Sequence, residues 1–235
     1  MPFEPAFIGT NHLLAALPYD DYEQLLASCE ETELAFAEVV YRAGDLISYV
    51  YFPITSFISL ITPIDSGHNL EVGLIGNEGM FGLPLILAVD VAPFNGLVQG
   101  AGLALRMSKS VFLHELEKRS ALKWELKRYF YVVMSQIAQT AGCNRFHVVE
   151  ARLARWLLMT QDRAHSDQFH VTQVFLAYVL GVRRVGITKA ANSLLKKGLI
   201  SYKRGDVKIL DRVGLEAASC GCYRTEREIY KRILG

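Results

Sequence analysis

The hydrophobic and polar positions of this 235-residue chain change period along its length. Near the start, Pro18 precedes Asp20, Asp21, Tyr22 and Glu23, acids that suit a helix N-terminus, and Leu25 and Leu26 follow on the inner face. The acidic pairs Asp20/Asp21 and Glu30/Glu31 read as solvated helix ends, because neighbours in sequence point to different helix faces. From Phe36 to Met107 the pattern is one of short β-rich runs. Phe36–Tyr41 ends at Ala43-Gly44-Asp45, Tyr49–Phe52 meets Pro53, and Ser56–Ile61 ends at Asp65-Ser66-Gly67. Leu70–Ile75 runs into Gly76-Asn77-Glu78-Gly79, and Leu97–Gln99 and Ala104–Met107 close the series. Such runs, punctuated by Gly, Pro, Asn and Asp, predict an antiparallel β-barrel or roll. No fixed period supports a repeat solenoid.

The period then becomes helical. Glycine and proline are absent between Met107 and Ala141. Leu122, Leu126, Tyr129 and Val133 mark one apolar stripe, and Leu126, Phe130, Val133 and Ile137 a second. An arc this wide cannot lie on a surface with one side in water. One stripe is expected on the chain's own domain and the other on the same helix of a second subunit, with Leu122, Leu126, Phe130, Val133 and Ile137 as dimerisation residues. Helix 121–146 would be about 39 Å long at roughly 1.5 Å per residue. From Val149 to Met159 the helical pattern continues, with Leu153, Trp156 and Leu157 inward and Arg152 and Arg155 outward.

The segment after it is the most informative. Val171-Thr172-Gln173 opens a helix with apolar Leu176, Ala177 and Leu180, and Gly181 breaks it. Val182-Arg183-Arg184 turns into a second helix bearing Ile187, Ala190, Ala191, Leu194 and Leu195, which Gly198 ends. Leu199–Lys203 then pairs across Arg204-Gly205-Asp206 with Val207–Leu210. Helix, glycine turn, helix and hairpin make a winged helix-turn-helix. Its second helix would enter the major groove of DNA, with its first residues at the base edges. The DNA-binding residues expected are Thr172, Gln173, Arg183, Arg184, Val185, Gly186, Thr188 and Lys189, with Lys203 and Arg204 at the wing. Arg matches guanine O6 and N7 with its planar fork, and Thr172 can cap the first helix beside a phosphate.

Composition sharpens this division. The formal net charge is only +1, but residues 1–110 hold 3 basic and 13 acidic side chains, and residues 111–235 hold 22 and 11. An acidic first half is a poor partner for nucleic acid, whereas a basic second half can neutralise phosphates. Half the residues are hydrophobic (51%) and 21% are charged, which excludes a disordered chain. No apolar run approaches the roughly 18 residues of a membrane span. The opening Met1-Pro2-Phe3-Glu4 is not a secretory signal, and four cysteines without one read as cytoplasmic thiols. With no Ser/His/Asp order, H-E-x-x-H helix or P-loop, the chain is not expected to be an enzyme.

Taken together, these residues resemble the Crp/Fnr superfamily of bacterial transcription regulators along nearly the whole chain. Ala43-Gly44-Asp45 is similar to that family's roll turn, and Gly76-Asn77-Glu78-Gly79-Met80-Phe81-Gly82 to its central glycine-rich turn. Arg152–Leu158 is similar to the helix after its hinge, and Thr172-Gln173 through Leu199-Ile200 to its helix-turn-helix. The resemblance implies an N-terminal β-roll sensor (1–120), a dimerisation helix (121–147) and a C-terminal winged helix-turn-helix (148–235), an α+β chain. It also implies a homodimer, double-stranded DNA and RNA polymerase as partners, and no membrane.

Two departures matter. Cyclic-nucleotide-binding members carry a Glu after the Phe-Gly and an Arg further on, but here Phe81-Gly82 is followed by Leu83-Pro84, and residues 89–96 hold no Arg or Lys. A cyclic phosphate would lack its charge-assisted partner, so Gly82, Leu83, Pro84 and Phe94 are candidates for an effector pocket that is not expected to take a cyclic nucleotide. The usual Arg-Glu opening of the recognition helix is Arg184-Val185, which suits a thymine methyl better than cytosine N4. Iron–sulfur members use an N-terminal cysteine cluster, and only Cys29 precedes Cys143 here, so such a cluster is not expected. Haem has no spacing signature at His68 or His114. Cys220-Gly221-Cys222 could bind metal or form a strained redox link, and reads first as reduced thiols. No metal or cofactor is therefore assigned. The reading is a homodimeric, sequence-specific regulator reading a palindromic operator; the alternative is a ligand-sensing module whose winged helix docks a protein.

Overall fold

The structure, a computed structural model, describes residues 10–65 and 68–235. The opening Met1–Glu4 and the turn residues Ser66 and Gly67 lie outside the described residues. The chain divides into two compact units, one of Met1–Leu60 with Leu74–Tyr131, the other of Ile61–Gly73 with Val132–Ile233. No helix among the described residues is long and apolar enough to cross a membrane.

In the first unit, helices α1 (His12–Ala15) and α2 (Tyr19–Ala27) lead into the strands β1 (Glu30–Leu34), β2 (Val39–Tyr41), β3 (Tyr49–Pro53), β4 (Phe57–Ile64), β5 (His68–Ile75), β6 (Asn95–Gly100) and β7 (Gly102–Ser108). They form two antiparallel sheets, ordered β1-β7-β3 and β2-β6-β4-β5, the β-roll that the alternating runs predict. The far ends of β4 and β5 are counted with the second unit. Asp20 and Asp21 do stand in the first turn of α2. Glu30 and Glu31 do not end a helix: they lie in β1, where Glu30 faces Arg106 of β7 and pairs with it at 3.0 Å. Strand β1 exposes its acids and buries Leu34, so its period is carried by charges.

A cluster of rings packs among the aliphatic side chains of the roll. Phe81 stacks on Tyr41 at 5.9 Å between centroids and lies 6.5 Å from Tyr51. Gly96 on β6 has no Cβ because the Phe81 ring occupies its place: an added Cβ would sit 2.2 Å from the ring edge. Gly82 takes a left-handed φ of +108°, and Leu83–Leu87 then form a 3-10 turn whose Leu83 and Leu85 are buried. Of the effector-pocket candidates, Gly82 is packed against Val50, and Leu83 is in the core.

Helix α3 (Lys109–Lys118) is separated from α4 (Ser120–Phe146) by one extended residue, Arg119. Neither glycine nor proline makes this break. Arg119 is buried, held by Glu115 at 3.0 Å, Gln24 at 3.1 Å and Asp21 at 3.8 Å. Along α4, Leu122, Leu126, Tyr129 and Val133 are buried within the chain, whereas Trp124, Tyr131 and Met134 are exposed. Tyr129 covers Gly79, where a Cβ would meet its hydroxyl.

The second unit is built on α5 (Val149–Ala164). The sequence predicts Arg152 and Arg155 on its outer face, but every residue from Arg152 to Gln161 is buried. The physical reason is that each guanidinium finds partners inside. Arg152 donates to the Leu180 carbonyl, and Arg155 to Thr140 Oγ1 at 3.0 Å and to Glu226 at 2.5 Å. Around α5 are β8 (Gln168–His170), α6 (Gln173–Val179), α7 (Arg184–Lys196), β9 (Ile200–Lys203), β10 (Asp206–Ile209), α8 (Arg212–Ala218) and α9 (Cys222–Leu234).

A substitution tests the packing of Phe81 on Gly96. Gly96→Ala is expected to destabilise the protein by about 1–3 kcal/mol, the usual range for overpacking, and Gly96→Ala with Phe81→Leu by less. Urea denaturation of the three variants measures this; additive losses would show that Gly96 and Phe81 do not share the space.

Candidate nucleic-acid interface

The helix-turn-helix rests on local signals that the chain places in order. Thr172 is the N-cap of α6, its hydroxyl accepting the Phe175 N–H at 3.1 Å. Gly181, at φ +60°, turns the chain, and Arg183 is the N-cap of α7 without a side-chain cap bond. Ile187, Ala190, Ala191 and Leu194 are buried at helical spacing, which anchors one face of α7 and directs the other outward. Gly198, at φ +71°, ends the helix. The two helices are also tied by Thr188, which donates to Gln173 Oε1 at 2.8 Å and to the Arg184 carbonyl at 3.1 Å.

On the outward face, Arg183, Arg184, Val185 and Lys189 are exposed, and Gly186 and Thr188 are half-buried. Among the described residues none of Arg183, Arg184, Lys189, Lys203 and Arg204 forms an ion pair, unlike Lys197, which binds Glu150 at 2.5 Å. A Cβ at Gly186 would meet only Val149, at 3.9 Å. Protein packing therefore does not demand glycine there.

The wing is tighter than the sequence suggests. The turn is Arg204-Gly205 alone, both with positive φ (+53° and +93°), as a type I′ hairpin requires, and Asp206 is already paired with Lys203. Arg204, a non-glycine residue in the left-handed region, carries local strain. Strand β8, which the sequence pattern does not announce, adds to β10, and His170 Nδ1 lies 2.9 Å from Asp206. The Tyr202 hydroxyl donates to the Val171 carbonyl at 2.8 Å, fixing the wing against the start of α6. Burial raises the Tyr202 pKa, and the Arg184 guanidinium opposes that shift.

The structure brings Thr172, Gln173, Thr188, Arg184 and the wing together in one unit. The five expected dimerisation residues are not on one free face: Leu122, Leu126 and Val133 are internal, and Phe130 and Ile137 are half-buried. The exposed positions Trp124, Lys127, Tyr131, Met134, Ala138, Ala141 and Arg145 instead follow one another at alternating steps of three and four. Cys143 and His147, which the sequence reading did not join to the Cys220-Gly221-Cys222 pair, meet Cys220 and Cys222 in the second unit.

In chain order, an antiparallel β-roll, a long helix and a winged helix-turn-helix make up the fold, and comparison with known proteins returns the same order of parts. Residues 151–218 match the family model of the Crp-like helix-turn-helix domain. Among solved structures, the chain is similar to the c-di-GMP responsive global regulator CLP of Xanthomonas campestris, at 18% identity over 82% of this chain and 99% of that one, with a TM-score of 0.67. It is similar also to FixK2 of Bradyrhizobium japonicum, at 13% identity over 82% and 98%, TM-score 0.69. A CRP-family transcriptional regulator of Thermus thermophilus matches at 18% identity over 80% and 96%, TM-score 0.65. No curated protein sequence matches the chain. The chain thus carries a Crp-like helix-turn-helix domain and has the Crp/Fnr fold.

Proposed function

We propose that the protein is a homodimeric, sequence-specific DNA-binding transcription regulator that reads a palindromic operator through α7. Residues 1–120 serve as the sensor, 121–147 as the dimerisation helix and 148–235 as the DNA-reading part, with RNA polymerase as the partner in transcription by family likeness. The observation that carries this reading is the group of exposed cations without ion pairs at the start of α7 and on the wing. Gly186 supports it from another side. Its backbone can approach a groove that a side chain would hold off.

The dimer is supported by the exposed stripe on α4. Steps of three and four are the spacing of a coiled-coil seam, and the stripe holds Trp124, Met134, Ala138 and Ala141. Phe130 and Ile137 flank it. The effector is not a cyclic nucleotide in this reading, because residues 82–96 offer an anion no Arg or Lys and the Phe81 ring packs on Gly96.

Three measurements test these statements. Arg184→Ala is expected to lose about 1–3 kcal/mol on a selected operator and to relax preference at one base pair per half-site. Lys203→Ala should instead weaken all sequences alike and lower the salt slope by about one phosphate contact per subunit. An Arg184 variant with unchanged base preference would remove the mechanism. Met134→Glu together with Ala138→Glu should yield monomers in sedimentation at micromolar concentration, and an intact dimer would place the seam elsewhere. Calorimetry with cyclic AMP should give no micromolar isotherm; a clear one would overturn the effector statement.

A further inference from the structure

Three of the chain's four cysteines and one of its six histidines converge in the second unit. Cys143 is buried in the last turn of α4, and His147 follows four residues later, just past the helix, exposed. Cys220 and Cys222 are buried where α8 passes into α9, and Cys222 is the first residue of α9. The four ligand atoms lie within 4.8 Å of one another. Cys143 Sγ is 3.5 Å from Cys220 Sγ, and Cys222 Sγ is 3.5 Å from His147 Nδ1.

We propose that Cys143, His147, Cys220 and Cys222 hold one zinc ion in a closed tetrahedral site. Zn–S bonds of about 2.3 Å and a Zn–N bond of about 2.0 Å set tetrahedral edges of about 3.5–3.8 Å. Two edges already have that length, and closing the widest takes at most about 1 Å. An iron–sulfur cluster would interpose several iron and sulfide atoms and hold the thiolates further apart. Soft thiolates with one imidazole in this shape select zinc.

The surroundings fit the ion. Gln139 Nε2 donates to Cys222 Sγ at 3.0 Å, a contact that orients a ligating thiolate. Three thiolates and a neutral imidazole around a dication leave one negative charge. The buried guanidinium groups of Arg152 and Arg155 interact electrostatically with Cys143 and Cys220, and Arg152 Nε has no hydrogen-bond partner among the described residues. With four protein ligands the site has no open position for a substrate, so its role is structural. It ties the end of α4 to the segment that follows the wing, and metal binding adds to the stability of the DNA-reading unit. The exposed His147 is the edge by which metal enters.

The test uses the full chain purified in reducing buffer without chelator. Mass-spectrometric metal analysis is expected to give one zinc per chain, and cobalt exchanged into the site should show the visible absorption of tetrahedral cobalt–thiolate. His147→Ala and Cys220→Ser should each lose zinc to a metallochromic chelator about tenfold more readily or worse. Cys29→Ser should keep it, and so should His147→Cys, which supplies a fourth ligand. His147 is exposed, so its alanine variant should retain the native circular dichroism even if Cys220→Ser fails to fold. The proposal fails if the wild type holds no zinc, or if zinc survives unchanged in His147→Ala. Iron with acid-labile sulfide, or a Cys143–Cys220 disulfide in the natively alkylated protein, would also overturn it. Because the readout is metal content, the result stands apart from whether the protein binds an operator.

Discussion

The second unit depends on burying the middle of α5 on every side, and that is possible only because Arg152 and Arg155 end inside rather than in water. Burial opposes the charge of Arg155, yet the Glu226 carboxylate and its hydrogen bond lift the guanidinium above its usual range. The same side chain reaches Thr140, so residues of α4, α5 and α9 share one polar contact. Arg152 satisfies the carbonyl of Leu180, the C-cap of α6, a group that water would otherwise have to serve. Removing one partner of such a buried pair typically costs about 3–5 kcal/mol, because the other charge stays behind. The helix-turn-helix packs on this helix, so the geometry of its outward face follows from an interaction that never meets solvent.

How much of this was legible in the sequence depends on how local each signal is. The helix-turn-helix was readable because Thr172, Gly181, Gly198 and the Arg204-Gly205 turn each act over a few residues. Strand β1 was not, because its alternation is written in Glu30, Glu31, Thr32 and Glu33, which resemble the tail of a helix. The start of the long helix was placed within a residue or two, but what holds Arg119 at the break could not be read, because Asp21 and Gln24 are distant in sequence. On α4 the pattern gave two apolar stripes but could not say which was internal. Leu122, Leu126 and Val133 went inside, and Trp124 and Met134 outside, a choice made by packing alone. The cysteines illustrate the extreme case: Cys220-Gly221-Cys222 is a pair within two residues, but Cys143 lies 77 residues before Cys220 and no local signal joins them.

The two units face related packing problems. In the roll, missing side chains at Gly79 and Gly96 admit the rings of Tyr129 and Phe81, so aromatic bulk is accommodated by removing Cβ atoms. The second unit buries Arg152 and Arg155, as the first buries Arg119.

Arg204 has a consequence for how the protein can change. At φ +53° the position favours Gly or Asn, whose backbones enter the left-handed region with less strain. An arginine there gives up conformational ease for a cation at the tip of a two-residue turn. Backbone ease and the charge carried on the wing therefore pull this one residue in opposite directions. Drift under selection for folding alone would lead toward Asn, and only a demand on the wing itself would keep the charge.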